Sequence, residues 1–364
     1  MILLVACAHA CGDDGHATAE ATRPAPEEPP PEPTKAPTKG SGDDVRLFTR
    51  SRPMMGTIFQ ITVAGDTDEH AEPAVRAALD EIARLEDVLS EWLPGSEISR
   101  INEHAGDRPV EVGPDTLAVV KAGVEVSRWS DGAFDLSWAV MRGLYDFQPG
   151  QSRVPERADI ARRLPLIHWQ DIVVDGDAST VLLRQAGMSI GTGGIAKGYA
   201  LDRAASTLVD AGVASFMLYG GGQVLVHGMR GNRPWRVGIQ HPRRPDYFAY
   251  VEASAGTVST SGDYEHFFID ASGRRWHHIL NPRTGLPVEG TLSVTAVAPS
   301  GVYGDALSTA CFVMGTQPCL QMMARIPGGG EAVVVDSTFH VVTTPGTLER
   351  LRFNMPLEDG TLPH

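Results

Sequence analysis

Val75, Ala78, Leu79, Ile82, Leu85 and Leu89 recur at intervals of three and four residues, a period that only an α-helix turns into one apolar face. The pattern predicts a helix across about 70–90, with two more at about 115–129 and 195–209. Beyond residue 209 that period disappears. Short strand-like runs follow at 216–219, 223–227, 235–239, 248–252, 266–269 and 291–298, several divided by glycine-rich or Asp/Gly turns such as Gly220-Gly221-Gly222 and Asp270-Ala271-Ser272-Gly273. One earlier strand is expected at 57–63, then a short helix at about 305–314 and strands at 332–335 and 340–343. Helices segregated from meandering strands predict an α+β fold with mixed or antiparallel sheets, not a doubly wound parallel sheet. A chain of 364 residues with 42% apolar residues has ample material for a core, and no internal repeat of fixed period is visible.

Charge narrows the partners. With 31 basic residues against 45 acidic ones the net charge is −14, which argues against a nucleic-acid or anionic-lipid surface built from clustered Lys and Arg. No apolar run approaches the roughly 20 residues of a membrane-spanning helix. The acidity is uneven: residues 1–44 hold eight acidic and three basic residues, and seven prolines fall between Pro24 and Pro37. From Cys7 to Asp44 no aliphatic side chain exceeds Ala, so residues 12–45 are expected to form an acidic, proline-rich spacer ahead of a folded domain at 46–364. At the start, Leu4-Val5-Ala6-Cys7 resembles the lipobox of bacterial lipoproteins, although the apolar stretch is short for a signal core and no Lys or Arg precedes it. Residues 1–11 are read as the end of such a signal, with Cys11 a weaker acylation candidate; a ragged cytoplasmic N-terminus is the alternative. Cys311 and Cys319 suit neither a zinc site nor a redox pair by spacing and are expected to be core thiols.

Gly191-Thr192-Gly193-Gly194-Ile195-Ala196 matches the dinucleotide fingerprint formally. The next strand ends Leu218-Tyr219-Gly220 without the carboxylate that would hold a ribose, and hairpins replace the βαβ repeat. A Walker A reading fails because Ala196 and Gly198 flank Lys197 where Gly and Ser/Thr are needed. What survives is physical: glycines at a helix start let an anion approach backbone N–H groups, and Lys197 adds a positive charge. A tight turn with a surface lysine would look the same.

Asp305 and Thr309 lie four apart on a predicted helix, so their oxygens share one face and offer part of a cage for a hard cation such as Mg²⁺. Gly304-Asp305 is equally readable as an N-cap, with Thr309 packed. Upstream, Trp276 to Gly285 gathers His277, His278 and Arg283 around a proline turn. A histidine can take a proton from a hydroxyl and an arginine can grip phosphate, but a solvated hairpin with one half-buried histidine fits too. Neighbouring histidines on a strand point oppositely, so at most one should face a site. Thr257 to Asp263 is rich in short hydroxyls, as either a phosphate cradle or a turn.

Together these segments resemble the ApbE family of FAD:protein FMN transferases. The resemblance rests on Met55-Gly56-Thr57, Ser96 to Asn102, Gly132-Ala133-Phe134-Asp135, Gly193 to Asp202, Tyr219 to Gly222, Thr260 to Tyr264, His278 to Gly285 and Asp305 to Ala310, in the family's order over about residues 50–345. It implies an α+β catalytic domain that binds FAD, uses Mg²⁺ to cleave its pyrophosphate, and moves FMN onto a Thr or Ser hydroxyl of a target protein with release of AMP. Asp305, Thr309 and a backbone carbonyl near Gly194 would then be metal ligands. Met55, Trp92, Ala133, Phe134, Asp135, Lys197, Leu280 and Ser308 would line the flavin nucleotide, and His278 would be the base. Gly191 stands on the same nucleotide-facing turn where the family usually has Asp, and Trp92 replaces a common Tyr. The family's targets are often subunits of membrane redox complexes, and many members are exported lipoproteins anchored facing the periplasm. The same residues would serve an FAD pyrophosphatase, with water in place of the hydroxyl, or a non-enzymatic FAD-binding lipoprotein.

Overall fold

Strand pairing begins with a two-residue turn. Leu47–Met54 and Thr57–Ala64 pair antiparallel up to Met54 opposite Thr57, leaving Met55 and Gly56 to reverse the chain with φ of 49° and 73°. Two successive positive φ values are what a tight hairpin turn needs to match strand twist. Glycine meets that freely; Met55 does so at a cost, and its side chain is carried to the mouth of a cleft.

The computed structural model describes residues 45–147 and 152–363, so the lipobox-like stretch and nearly all of the proline-rich segment lie outside the described residues. The hairpin opens an eight-stranded sheet continued by Phe216–Gly220, Gln223–His227, Ala255–Gly262, Thr291–Ala298, Glu331–Asp336 and Val341–Thr343, every neighbouring pair antiparallel. Helices Asp68–Leu89, Pro114–Trp129, Ala196–Asp210 and Gly301–Met314 cover one face. A three-stranded sheet of Trp235–Gln240, Tyr247–Ala253 and Leu351–Phe353 covers the other. The two-residue side-chain period sorts the cores: Ala332 and Val334 pack toward the helices, Val333 and Val335 toward the small sheet. The expected α+β class with antiparallel sheets is what forms.

The long helices and most strands fall within a residue or two of their predicted bounds. Three readings are corrected. Thr257 to Asp263 is not a turn: its residues through Gly262 belong to Ala255–Gly262, an inner strand of the large sheet, whose hydroxyl-rich sequence hid it because Thr257 and Ser259 are buried there as polar residues. Asp305 is not an N-cap, since its helix begins four residues earlier at Gly301. Cys311 and Cys319 are fully buried but joined in a disulfide, not two thiols. Eight residues along one helix would part them by about 12 Å. Gly315, at φ 75°, instead turns the chain between Gly301–Met314 and Thr316–Met323 and brings the two Cα atoms to 4.6 Å.

Candidate active site

Two glycines set the site. Helices Ala196–Asp210 and Gly301–Met314 cross at Gly198 and Gly301, where a Cβ on Gly198 would collide with the Gly301 carbonyl and lie 2.9 Å from Asp305 Cβ. Asp202, one turn beyond Gly198, caps the second helix from outside: its carboxylate accepts from Gly301 N at 2.6 Å, Val302 N at 2.9 Å and Ser300 Oγ at 2.9 Å. Burial raises the Asp202 carboxyl above its usual range, against the pull of those three donors. The close crossing places Lys197 beside Asp305. Lys197 Nζ donates to Gly193 O at 2.6 Å and lies 3.8 Å from Asp305 Oδ2, and Gly198 N–H points at the same oxygen from 3.2 Å.

Thr309 follows Asp305 by one turn. Its Oγ1 is 3.2 Å from Ser261 Oγ, which also lies 2.8 Å from Ser308 Oγ. Gly194 packs against the same group: a Cβ there would sit 3.5 Å from Thr309 Oγ1 and 3.2 Å from the Phe134 ring. A buried carboxylate, a hydroxyl and nearby backbone form a donor set of hard oxygens, suited to a small divalent cation that keeps water and phosphate ligands. Among the described residues no three His, Cys, Asp or Glu side chains gather into an all-protein metal cage.

Beside Lys197 opens a largely apolar cleft walled by Met55, Leu89, Trp92, Leu93, Ala196 and the Thr192-Gly193 turn. Trp92 is 38% exposed, an unusual state for so large a ring, and Arg142 lies 4.8 Å over it. An aromatic wall at one end and a cation with an oxygen cluster at the other suit a ligand with a flat ring joined to phosphate.

His278 sits at the end of the Arg275–His277 strand, its N–H donating to His266 O at 3.1 Å and its ring edge-on to His266 at 5.1 Å. Its Nδ1 is shielded and has no hydrogen-bond partner. Burial, reinforced by the His266 and His277 rings and by Lys197, pushes its pKa down to about 3, so the imidazole is held neutral. His277 is anchored in the core instead, with Nε2 2.9 Å from Val288 O and the ring edge-on against Phe312.

Of the other expected residues, Phe134 stays beside the site, its ring 3.2 Å from where a Cβ on Gly194 would sit. The Asp135 carboxylate is consumed internally, accepting from Ser137 N, Ser137 Oγ and Trp169 N, so only its backbone remains for a ligand. Ala133 and Phe134 are buried beside it, and Leu280 packs with a small cluster around Val140 and Met141. Arg283 is not at the phosphate end: it pairs with exposed Asp131. Asp263 is held by Arg243 at 2.6 Å through both oxygens. Glu91, Thr192, Ser261 and Asp202 also meet the elements of the site. Thr192, Ser261 and Asp202 lie inside segments already picked out in the sequence, Gly191–Ala196, Thr257–Asp263 and Gly193–Asp202, whereas Glu91 carried no signal.

Residues 55–334 match the ApbE family. An FAD:protein FMN transferase of Klebsiella pneumoniae is 30% identical over 87% of this chain and 97% of its own length, and one of Treponema pallidum is 29% identical over 85% and 90%. Among solved structures, the ApbE protein of Thermotoga maritima superposes with a TM-score of 0.78 at 30% identity, covering 84% of this chain and all of that one. The flavinyl transferase ApbE of Pseudomonas stutzeri gives 0.69 at 31% identity, covering 83% of this chain and 94% of that one. The interlocked helices, the glycine turn before Lys197 and the Asp305–Thr309 pair all fall within the matched span, and the chain belongs to the ApbE family.

Proposed function

We propose that this protein is a transferase that moves the FMN half of FAD onto a Ser or Thr hydroxyl of a target protein, with AMP as the leaving group. The observation that carries the reading is the meeting of Lys197, Asp305 and Thr309 at the polar end of an apolar, Trp92-walled cleft, with neutral His278 in electrostatic reach. The acceptor oxygen bonds to the phosphorus that carries the flavin ribityl chain while the bridging P–O bond breaks and its electron pair leaves with AMP. Negative charge grows on the phosphoryl oxygens, where Lys197 can meet it. His278 takes the proton from the incoming hydroxyl. Asp305, Thr309 and the Gly194 carbonyl would hold Mg²⁺, which supplies charge neutralisation at the pyrophosphate when bound.

The reading includes a location. Acylation at Cys7 would tether the domain to a bacterial membrane through the 12–45 spacer, facing the periplasm, where a subunit of a membrane redox complex is a fitting acceptor. The Cys311–Cys319 disulfide supports this, because such bonds persist in oxidising compartments. Incubation with FAD, Mg²⁺ and a candidate acceptor tests the chemistry. A flavin-fluorescent acceptor band that survives denaturation is the expected result; free FMN and AMP with an unmodified acceptor would make water the true acceptor, and neither product would leave a binding protein.

A further inference from the structure

Glu91 lies in the loop after the Asp68–Leu89 helix with only 5% of its side chain exposed, a place where a carboxylate must be paired. Its Oε2 accepts the Thr192 N–H at 2.6 Å, and its Oε1 is 3.1 Å from Arg142 Nη2. Arg142 Nη1 also donates to the Glu91 carbonyl at 3.1 Å, and the Thr192 hydroxyl donates to Leu89 O at 2.8 Å. Two polar contacts therefore stitch the 89–92 loop to the 191–194 turn, and two more tie Arg142 to Glu91. Both stitched loops line the cleft. The 191–194 turn continues into the Gly193 carbonyl that holds Lys197, and Arg142 supports the Trp92 ring.

Gly191 completes the unit. Its φ is not in the left-handed region, so its backbone does not demand glycine. Space does: a Cβ at 191 would collide with Glu91 Oε2 and lie 3.0 Å from Ala139 Cβ. The Glu91 carboxylate occupies the volume into which a side chain at 191 would project.

We propose that Glu91 is the positioning residue of the nucleotide cleft, its carboxylate filling the volume beside Gly191 and holding the Thr192-Gly193 turn and, through Arg142, the Trp92 ring in the form that takes FAD. Gly191 is glycine because that carboxylate is there. The inference rests on the reading of FAD as the ligand. It makes Glu91 and Gly191 a compensating pair in which the carboxylate can be moved from one position to the other.

The test is FAD affinity, by titration of flavin fluorescence, on wild type, Glu91→Ala, Gly191→Asp and the double variant, with thermal melts to confirm folding. Glu91→Ala is expected to weaken FAD binding about tenfold or more, since it leaves the Thr192 N–H without its acceptor and Arg142 without its carboxylate partner. Gly191→Asp forces two carboxylates into one volume and should also weaken binding. The double variant should bind FAD within about threefold of wild type, a coupling that independent sites do not show. Glu91→Gln, which keeps the shape and can still accept from Thr192, should fall between wild type and Glu91→Ala. A folded Glu91→Ala that binds FAD like wild type overturns the proposal and leaves the transferase reading intact. So does a double variant no better than Gly191→Asp, the comparison that decides if Glu91→Ala does not fold. A wild-type chain that binds no FAD overturns both.

Discussion

His278 illustrates how burial fixes the protonation state of an ordinary side chain. Its pKa of about 3 lies far below the value near 6.5 of an unfolded histidine, so below pH 6.5 the unfolded chain binds a proton that the folded chain refuses. Stability is therefore unaffected by this group above about pH 7 and lost progressively as pH falls from 6.5 toward 3. His277 is shifted in the same direction by its own burial. Replacing His278 by Gln should make the decline of melting temperature between pH 7.5 and pH 5 shallower than in wild type, while cutting FMN transfer at pH 7.5 by about 10²- to 10⁴-fold. An equally steep decline would show that the imidazole is not held neutral. The candidate-site side chains Lys197, His278, Asp305 and Thr309 could be picked out in the sequence because they sit in dense local motifs. Glu91 could not, because nothing near Trp92 announces that the carboxylate will be buried against a glycine one hundred residues away.

The crossing of Ala196–Asp210 and Gly301–Met314 is where local sequence becomes catalytic geometry. Gly198 permits the contact, and Asp202 satisfies the N-terminal N–H groups that Ser300 does not cap. Gly198→Ala should force the helices apart, lower stability by about 1–3 kcal/mol in denaturant unfolding, and weaken turnover by widening the separation of Lys197 from Asp305. A variant of unchanged stability and activity would mean that the crossing tolerates a methyl group. Elements with strong periodicity, such as Asp68–Leu89 and Gln223–His227, were read almost to the residue. Ala255–Gly262 was not, since its buried and half-buried positions carry Thr and Ser satisfied by neighbours: Thr257 Oγ1 donates to Val224 O, and half-buried Ser261 reaches Ser308 and Thr309. Polar residues buried through hydrogen bonds leave no hydrophobic period to read. The start of Gly301–Met314 was missed for a related reason, because its capping carboxylate comes from another helix.

Across the folded domain, the disulfide and the sheet layers hold the helix that carries Asp305 and Thr309 in place. The Cys311–Cys319 bond closes a short loop in the buried core next to Asp305 and Thr309. Paired Cys311→Ala and Cys319→Ala substitutions should lower stability by about 2–3 kcal/mol, visible as a lower melting temperature, with flavin transfer retained below it. Native protein treated with an alkylating agent without reductant should take up no label at either cysteine; labelling of both would show free thiols. The fold class was legible from the change of period along the chain. The pairing of these cysteines was not, because it depends on a single glycine that reverses direction between two helices.

The most direct test of the FMN-transfer chemistry is the stoichiometry of AMP released to flavin attached, measured by intact-mass analysis of an acceptor protein incubated with FAD and Mg²⁺, for wild type and Asp305→Ala. One AMP per attached FMN with wild type, and neither product with a folded Asp305→Ala variant, is the expected result. Unchanged AMP release by the variant would contradict the assignment of Asp305, and AMP release by wild type over an acceptor of unaltered mass would contradict transfer itself.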